Sequence, residues 1–239
     1  MPKRLVLILL LLSGQVTGAP PELVLNTTFS PPLVSKDKSG FLDRLYSELF
    51  GRLGIDFKIQ ALPGERALID ANAGIDDGDV GRIDQLGGAY PNLVHGEEPV
   101  MEYRMAVFSR RHEFRVAGPE SLKPYDVGIV IGWKIIERTV TGTHSVMSVG
   151  RIEQLFSLLE RDRIDLVVFS DVIGLETLKR MGITDVRMLQ PPLLHGNWYL
   201  HLNKKHAALL PRIDAELRRM KQDGTYARIE NETLGSYRR

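Results

Sequence analysis

Apolar residues recur along this chain with two different spacings, and the switch between them predicts its elements. Leu42, Leu45, Tyr46, Leu49, Phe50 and Leu53 are three and four apart, one face of a helix that Gly54 ends. Near the C-terminus Leu210, Ile213, Leu217 and Met220 repeat that spacing while Arg218, Arg219 and Lys221 point outward, so a second amphipathic helix docks there. Pro211 suits its first turn, and Asp223-Gly224 supplies a left-handed exit before a short apolar segment with Tyr226 and Ile229. Shorter runs predict strands at 23–26, 55–61, 105–109, 125–131, 166–169 and 198–202, with another starting at Asp79-Val80. Leu166 to Phe169 is apolar without interruption, as in a strand buried on both faces. Further helices are expected at 66–73, closing at Gly74, and at 134–140 after the turn Gly132-Trp133. One more carries Ile152, Leu155, Phe156 and Leu159 with Ser148 as its cap, and another follows Asp171 and ends at Gly182. Strand and helix alternate throughout, which predicts an α/β fold around a mostly parallel sheet with helices on both faces.

Composition narrows the class. The chain has 239 residues, 31 basic against 30 acidic, so no net field favours nucleic acid, and the arginines form no stripe with interleaved aromatics. With 43% hydrophobic residues it can bury an ordinary core. Lys3 and Arg4 precede the apolar run Leu5 to Leu12 and the small residues Ser13, Gly14, Thr17, Gly18 and Ala19, the order of a secretory signal peptide over residues 1–18. That run is far shorter than the roughly 20 apolar residues a membrane span requires. The chain has no cysteine, hence no disulfide framework, thiolate metal site or lipid attachment point. A freely soluble periplasmic protein is expected after cleavage.

Three ordered segments carry a family likeness. GFLDRLYSELFGRLG, the pairing of SLKPYDVGIVIGW with ERDRIDLVVFSD, and LNKKH through MKQDGTYARI together resemble the family 3 bacterial extracellular solute-binding proteins, the amino-acid ABC transporter type of type II periplasmic binding protein. The likeness covers nearly all of the chain after the leader. It implies two α/β lobes joined by two crossing strands, with the ligand cleft between them: lobe one over 20–107 and 196–239, lobe two over 108–195. One departure lies at 77–102, which lacks the serine- and threonine-rich ligand loop usual in the family.

The resemblance implies a ligand cleft where loops leave the strands. Thr28 and Phe29 lie in the first such loop. Arg82, beside Gly81, can grip a carboxylate, and the glycine lets a ligand approach the backbone; Arg66 competes for that role. Trp133 opens a helix whose first N–H groups favour an anion, and its indole can cover an apolar ligand. Asp171 stands where amino-acid binders of the family hold the ligand's ammonium group. Because Arg82 and Asp171 both sit at strand exits, neither is expected to be needed for folding. His195, Asn197 and Tyr199 lie near the second crossing strand, as ligand contacts or hinge residues. His95, Glu97 and Glu98 make a weak metal candidate, and no nucleophile elbow or phosphate-cradle loop is present. The expected activity is therefore non-enzymatic capture, by a monomer without cofactor or metal, of a small polar ligand such as an amino acid for an ABC-type permease. The alternatives are a sensing module for a membrane receptor and a dehydratase-like enzyme on the same fold.

Overall fold

A computed structural model of the chain describes residues 22–84, 86 and 88–238, so the expected leader lies outside the described residues. The chain begins with β1 (Leu23–Thr27), α1 (Phe41–Leu53), β2 (Phe57–Ala61), α2 (Gly64–Ala73) and β3 (Gly78–Arg82). The short β4 (Leu93–His95) and the long β5 (Met101–Ser109) follow. A second alternating stretch runs β6 (Asp126–Val130), α3 (Lys134–Thr139), β7 (Ser145–Val149), α4 (Ile152–Glu160), β8 (Leu166–Ser170) and α5 (Asp171–Met181). The 17-residue β9 (Arg187–Asn203) then leads into α6 (Leu210–Gln222) and α7 (Thr225–Leu234).

The strands pair in the order β2-β1-β3-β9-β5-β8-β6-β7, and β4 adds to β9. Two parallel groups, β2-β1-β3 and β8-β6-β7, thus meet through β9 and β5, which run antiparallel to each other. The first part of β9 pairs with β5 from Arg187 to Trp198, and its last part pairs with β3 and β4. Each parallel group carries its own helices, so the fold has two lobes joined by two shared strands.

Periodicity set the helices well. Leu42, Leu45, Tyr46, Leu49 and Phe50 of α1 are fully buried, and each such side chain contributes about 1.5–3 kcal/mol on leaving water. α1 lies against α6 and α7, while its Tyr46 and Phe50 reach the sheet at Val80 and Phe57. Gly54, Gly74 and Gly182 end α1, α2 and α5 with positive φ, as their positions in the pattern predict. β8 is buried along its whole length, with β5 on one side and β6 on the other.

Three local expectations are corrected. Ser148 does not cap α4, because it lies inside β7, a strand hidden from the pattern by its exposed side chains; Arg151 holds the cap position. The segment with Tyr226 and Ile229 is the ten-residue α7, which Gly224 starts at φ 81°. Arg82 is the last residue of β3 and not part of the loop after it.

Candidate functional site

β1, β3 and β9 converge from the first lobe on the start of α3 in the second. Asn26, fully buried at the end of β1, fixes the approach. Its amide donates to the Ala67 carbonyl (3.0 Å) and to Asp76 (2.9 Å), and its oxygen accepts from Gln60 (2.8 Å). That network locks α2 against the sheet. Tyr46 of α1 donates its hydroxyl to the Val80 carbonyl and anchors β3 from the other face. The backbone that carries Thr28, Leu68, Gly81 and Arg82 to the cleft is therefore held by buried hydrogen bonds.

Three aromatic rings meet at the cleft. Phe29 lies 5.9 Å from Trp133 and 5.5 Å from Trp198, each in edge-to-face geometry, and the two indoles are 6.2 Å apart. Trp133 also packs 4.3 Å from Phe169 of β8. Phe29 fits against the backbone because residue 81 is glycine: a Cβ there would stand 2.7 Å from the ring. The expected use of Gly81, close approach of a ligand, is thus taken by Phe29. These rings, with Thr28, Arg82, Lys134 and the aliphatic Leu68, Ile83, Leu86 and Ile135, line a cavity of about 30 Å³, room for a water or two.

Of the residues singled out in the sequence, Thr28, Phe29, Arg82 and Trp133 come together around this cavity. Arg66 and Asp171 do not line it. Arg66 points out from α2, its side chain 65% exposed, and pairs with Asp70 at 2.5 Å, four residues on. Asp171 is the first residue of α5 and is buried. Its Oδ1 accepts from the Val172 N–H at 2.7 Å, and its Oδ2 is 3.2 Å from Nε of Arg104. Burial raises the Asp171 carboxyl above its ordinary range, although Val172, Arg104 and Arg238 oppose the shift.

Arg82 is buried, and its Nη2 donates to Asp79 at 2.8 Å. A register shift in β3 between Asp79 and Arg82 accompanies this pairing. Burial raises the Asp79 carboxyl despite the guanidinium, since desolvation outweighs the attraction. The pair is a charge couple inside the lobe, so Arg82 has a structural partner as well as a place at the cavity. Among the described residues the Arg82 Nε–H has no hydrogen-bond partner, and the atom is sealed from solvent. A guanidinium with one side committed and another donor unanswered, at the wall of a cavity, is equipped to receive an acceptor oxygen.

The lobes also touch directly. Lys134 Nζ, at the start of α3, lies 2.7 Å from Glu65 at the start of α2, and Tyr90 donates its hydroxyl to the other oxygen of Glu65 at 2.6 Å. Lys134 and Tyr90 together hold the Glu65 carboxyl below its usual range. A Cβ on Gly64 would come 3.1 Å from the Gly132 carbonyl oxygen, so two glycines let the lobe edges meet. The expected anion site at the start of α3 is met from within: the Gly132 N–H donates to Glu137 at 2.6 Å. Sequence reasoning missed Glu65, Lys134 and Trp198 as site residues. Trp198 had a legible signal as an indole on the crossing strand, whereas the ion pair joins two distant helix starts and had none.

The weak metal candidate dissolves into structural contacts. Glu98 pairs with Arg218 and Lys221, and His95 packs on Tyr199 and His201. Among the described residues no three His, Asp or Glu side chains converge as ligands.

No family model matches the sequence. An uncharacterized protein of Shewanella oneidensis is 27% identical over 205 residues, 81% of this chain and 75% of that protein. The structure is similar to an ancestral arginine-binding protein bound to glutamine, with TM-score 0.75 and 21% identity over 90% of this chain and 98% of that one. It is also similar to a histidine kinase sensor domain with similarity to periplasmic binding proteins (TM-score 0.77, 17% identity, 91% and 97% covered). A third is the substrate binding protein of an amino acid ABC transporter (TM-score 0.73, 16% identity, 90% and 100% covered). The fold is that of the type II periplasmic binding proteins, two lobes around a ligand cleft.

Proposed function

We propose that the chain is an extracytoplasmic binding module that closes two lobes over a small organic ligand bearing a carboxylate. One observation carries this reading: the buried Arg82 Nε–H, without an acceptor among the described residues, at a cavity walled by both lobes. The lobes take the boundaries expected from the sequence, 20–107 with 196–239 and 108–195, which puts the hinge in β5 and β9. Thr28, Phe29 and Trp133 contact the ligand beside Arg82. Residues 1–18 direct export, and the ligand is handed to an ABC-type permease. Sensing for a membrane receptor is the second reading, favoured by the match in fold to a histidine kinase sensor domain.

Ligand can hold the lobes closed only by binding the closed form more tightly than the open one. X-ray scattering with and without a panel of carboxylates, amino acids included, tests the reading. A smaller radius of gyration at saturation is expected. A profile unmoved by every ligand that calorimetry shows to bind would remove the closing mechanism. N-terminal sequencing of exported protein should start near Ala19, and recovery of Met1 would contradict export by cleavage.

A further inference from the structure

The lining of the cavity also says what kind of carboxylate fits, on the basis of the binding reading above. A primary ammonium group taken out of water needs a carboxylate or several acceptors around it. The described lining offers Arg82 and Lys134 and contains no aspartate or glutamate. Residues outside the described set cannot change that count, because none of residues 1–21, Gln85, Gly87 and Arg239 is acidic. Asp84, between the lining residues Ile83 and Leu86, is exposed and is not part of the lining; Asp79 is engaged by Arg82, Glu65 by Lys134 and Tyr90, and Asp171 by Arg104. Besides Arg82 and Lys134, the described lining has three rings, four aliphatic side chains and the Thr28 hydroxyl.

We propose that the ligand is a compact carboxylate whose other end carries no N–H donor, an aryl or branched acyl carboxylate rather than an amino acid. Its oxygen accepts from Arg82 Nε. Its body displaces Phe29 from Trp133 and takes up the edge-to-face contacts those rings make with each other. The cavity is too small to receive such a body without that separation, so entry opens the cleft and binding closes it again.

The chain has two tryptophans, Trp133 and Trp198, and both line the cavity, so fluorescence excited selectively from tryptophan rather than tyrosine reports on this site. Matched pairs isolate the ammonium: 3-phenylpropanoate against L-phenylalanine, and 4-methylpentanoate against L-leucine. Each acid should bind at least about tenfold more tightly than its amino acid, since only the latter must bury an unpaired ammonium. N,N,N-trimethylglycine provides a third arm, because a methyl-capped cation can rest on ring faces without an acid. Its binding alongside failure of the amino acids upholds the exclusion of N–H donors. Equal or tighter binding of the amino acids overturns the proposal and leaves the binding reading intact. If no probe of either kind moves the fluorescence or the melting temperature, both fail.

The combined variant Asp79→Asn with Arg82→Gln removes both charges, leaving neither one buried alone. It should fold, as circular dichroism would show, and lose affinity for 3-phenylpropanoate by more than about tenfold. Unchanged affinity in the folded variant would show that Arg82 does not hold the carboxylate. Should that variant not fold, Trp133→Leu carries the same test for the aromatic wall, with Trp198 still reporting and unchanged affinity again overturning the proposal.

Discussion

Two arginine–aspartate pairs stand near the crossing strands, and they differ in ways that separate a ligand site from a structural clasp. Arg82 and Asp79 are both withdrawn from water, with side-chain exposures of 9% and 1%. Arg104 is 41% exposed beside an Asp171 that is 10% exposed. In the first pair the arginine faces a cavity and keeps one donor unanswered. In the second the aspartate is answered by an arginine and by the Val172 N–H. A carboxylate at a strand exit resembles a ligand group in sequence, yet here its partner comes from β5. Burial raises both aspartates, so each pair is held against a desolvation cost, and the costs are unequal because the exposures are.

The sharpest way to break this comparison is to remove each arginine. Arg82→Ala leaves Asp79 charged and uncompensated in the interior, which should cost about 3–5 kcal/mol of stability in urea unfolding. Arg104→Ala, at a half-open pair, should cost no more than about 1 kcal/mol. Equal losses would mean that the two pairs do the same work.

The pH dependence distinguishes the regions next. His201 is paired across the strands with Asp79 and is buried; burial, then His95 and Arg82, brings its pKa down to about 3. An unfolded histidine takes its proton near pH 6.5, so between there and about 3 the unfolded chain binds more protons. His201 therefore contributes its full stability above pH 6.5 and loses it as pH falls, by at most about 1.4 kcal/mol per unit. The raised aspartates act in the opposite sense: the folded state takes their protons first, and that contribution is lost as pH rises above 3.8. Unfolding free energy measured from pH 7 to 4 should fall less steeply in His201→Gln than in the parent. Parallel slopes would show that His201 is not the group responsible.

The smallest effect belongs to the contact between the lobes. Glu65 is 52% and Lys134 36% exposed, so their ion pair contributes about 0.2–1 kcal/mol and weakens with salt. Glu65→Gln should enlarge the radius of gyration of the ligand-free protein while barely changing its melting temperature. An unchanged radius would show that the rings and the glycine contact suffice to hold the lobe edges together.

Residues differ sharply in how far their roles could be read in advance. Leu42 to Phe50 announced α1 because a buried helix face leaves a 3.6-residue repeat, and Gly54 marked its end because only a left-handed residue finishes it cheaply. β7 left no such trace, for its side chains face solvent and Ser145 to Val149 carries no alternation between core and water. Thr28, Phe29, Arg82 and Trp133 could be singled out because strand ends are where an α/β cleft forms, and they come together around one cavity. Trp198 was read only as the start of a strand, although an indole on a crossing strand was the signal that could have placed it at the cleft.

By itself the sequence determined most of the order of strands and helices and where most helices stop, while the two lobes were implied by the family likeness. The order and the stops are local consequences of apolar spacing and of glycine's conformational freedom. Only the tertiary structure decided that Arg82 answers Asp79, that Arg104 answers Asp171, and that Lys134 reaches Glu65 across the cleft. The reason is physical: a charge's partner is whichever opposite group the packed backbone brings within about 4 Å, and that distance is set by strand register and lobe contact rather than by neighbours in the chain.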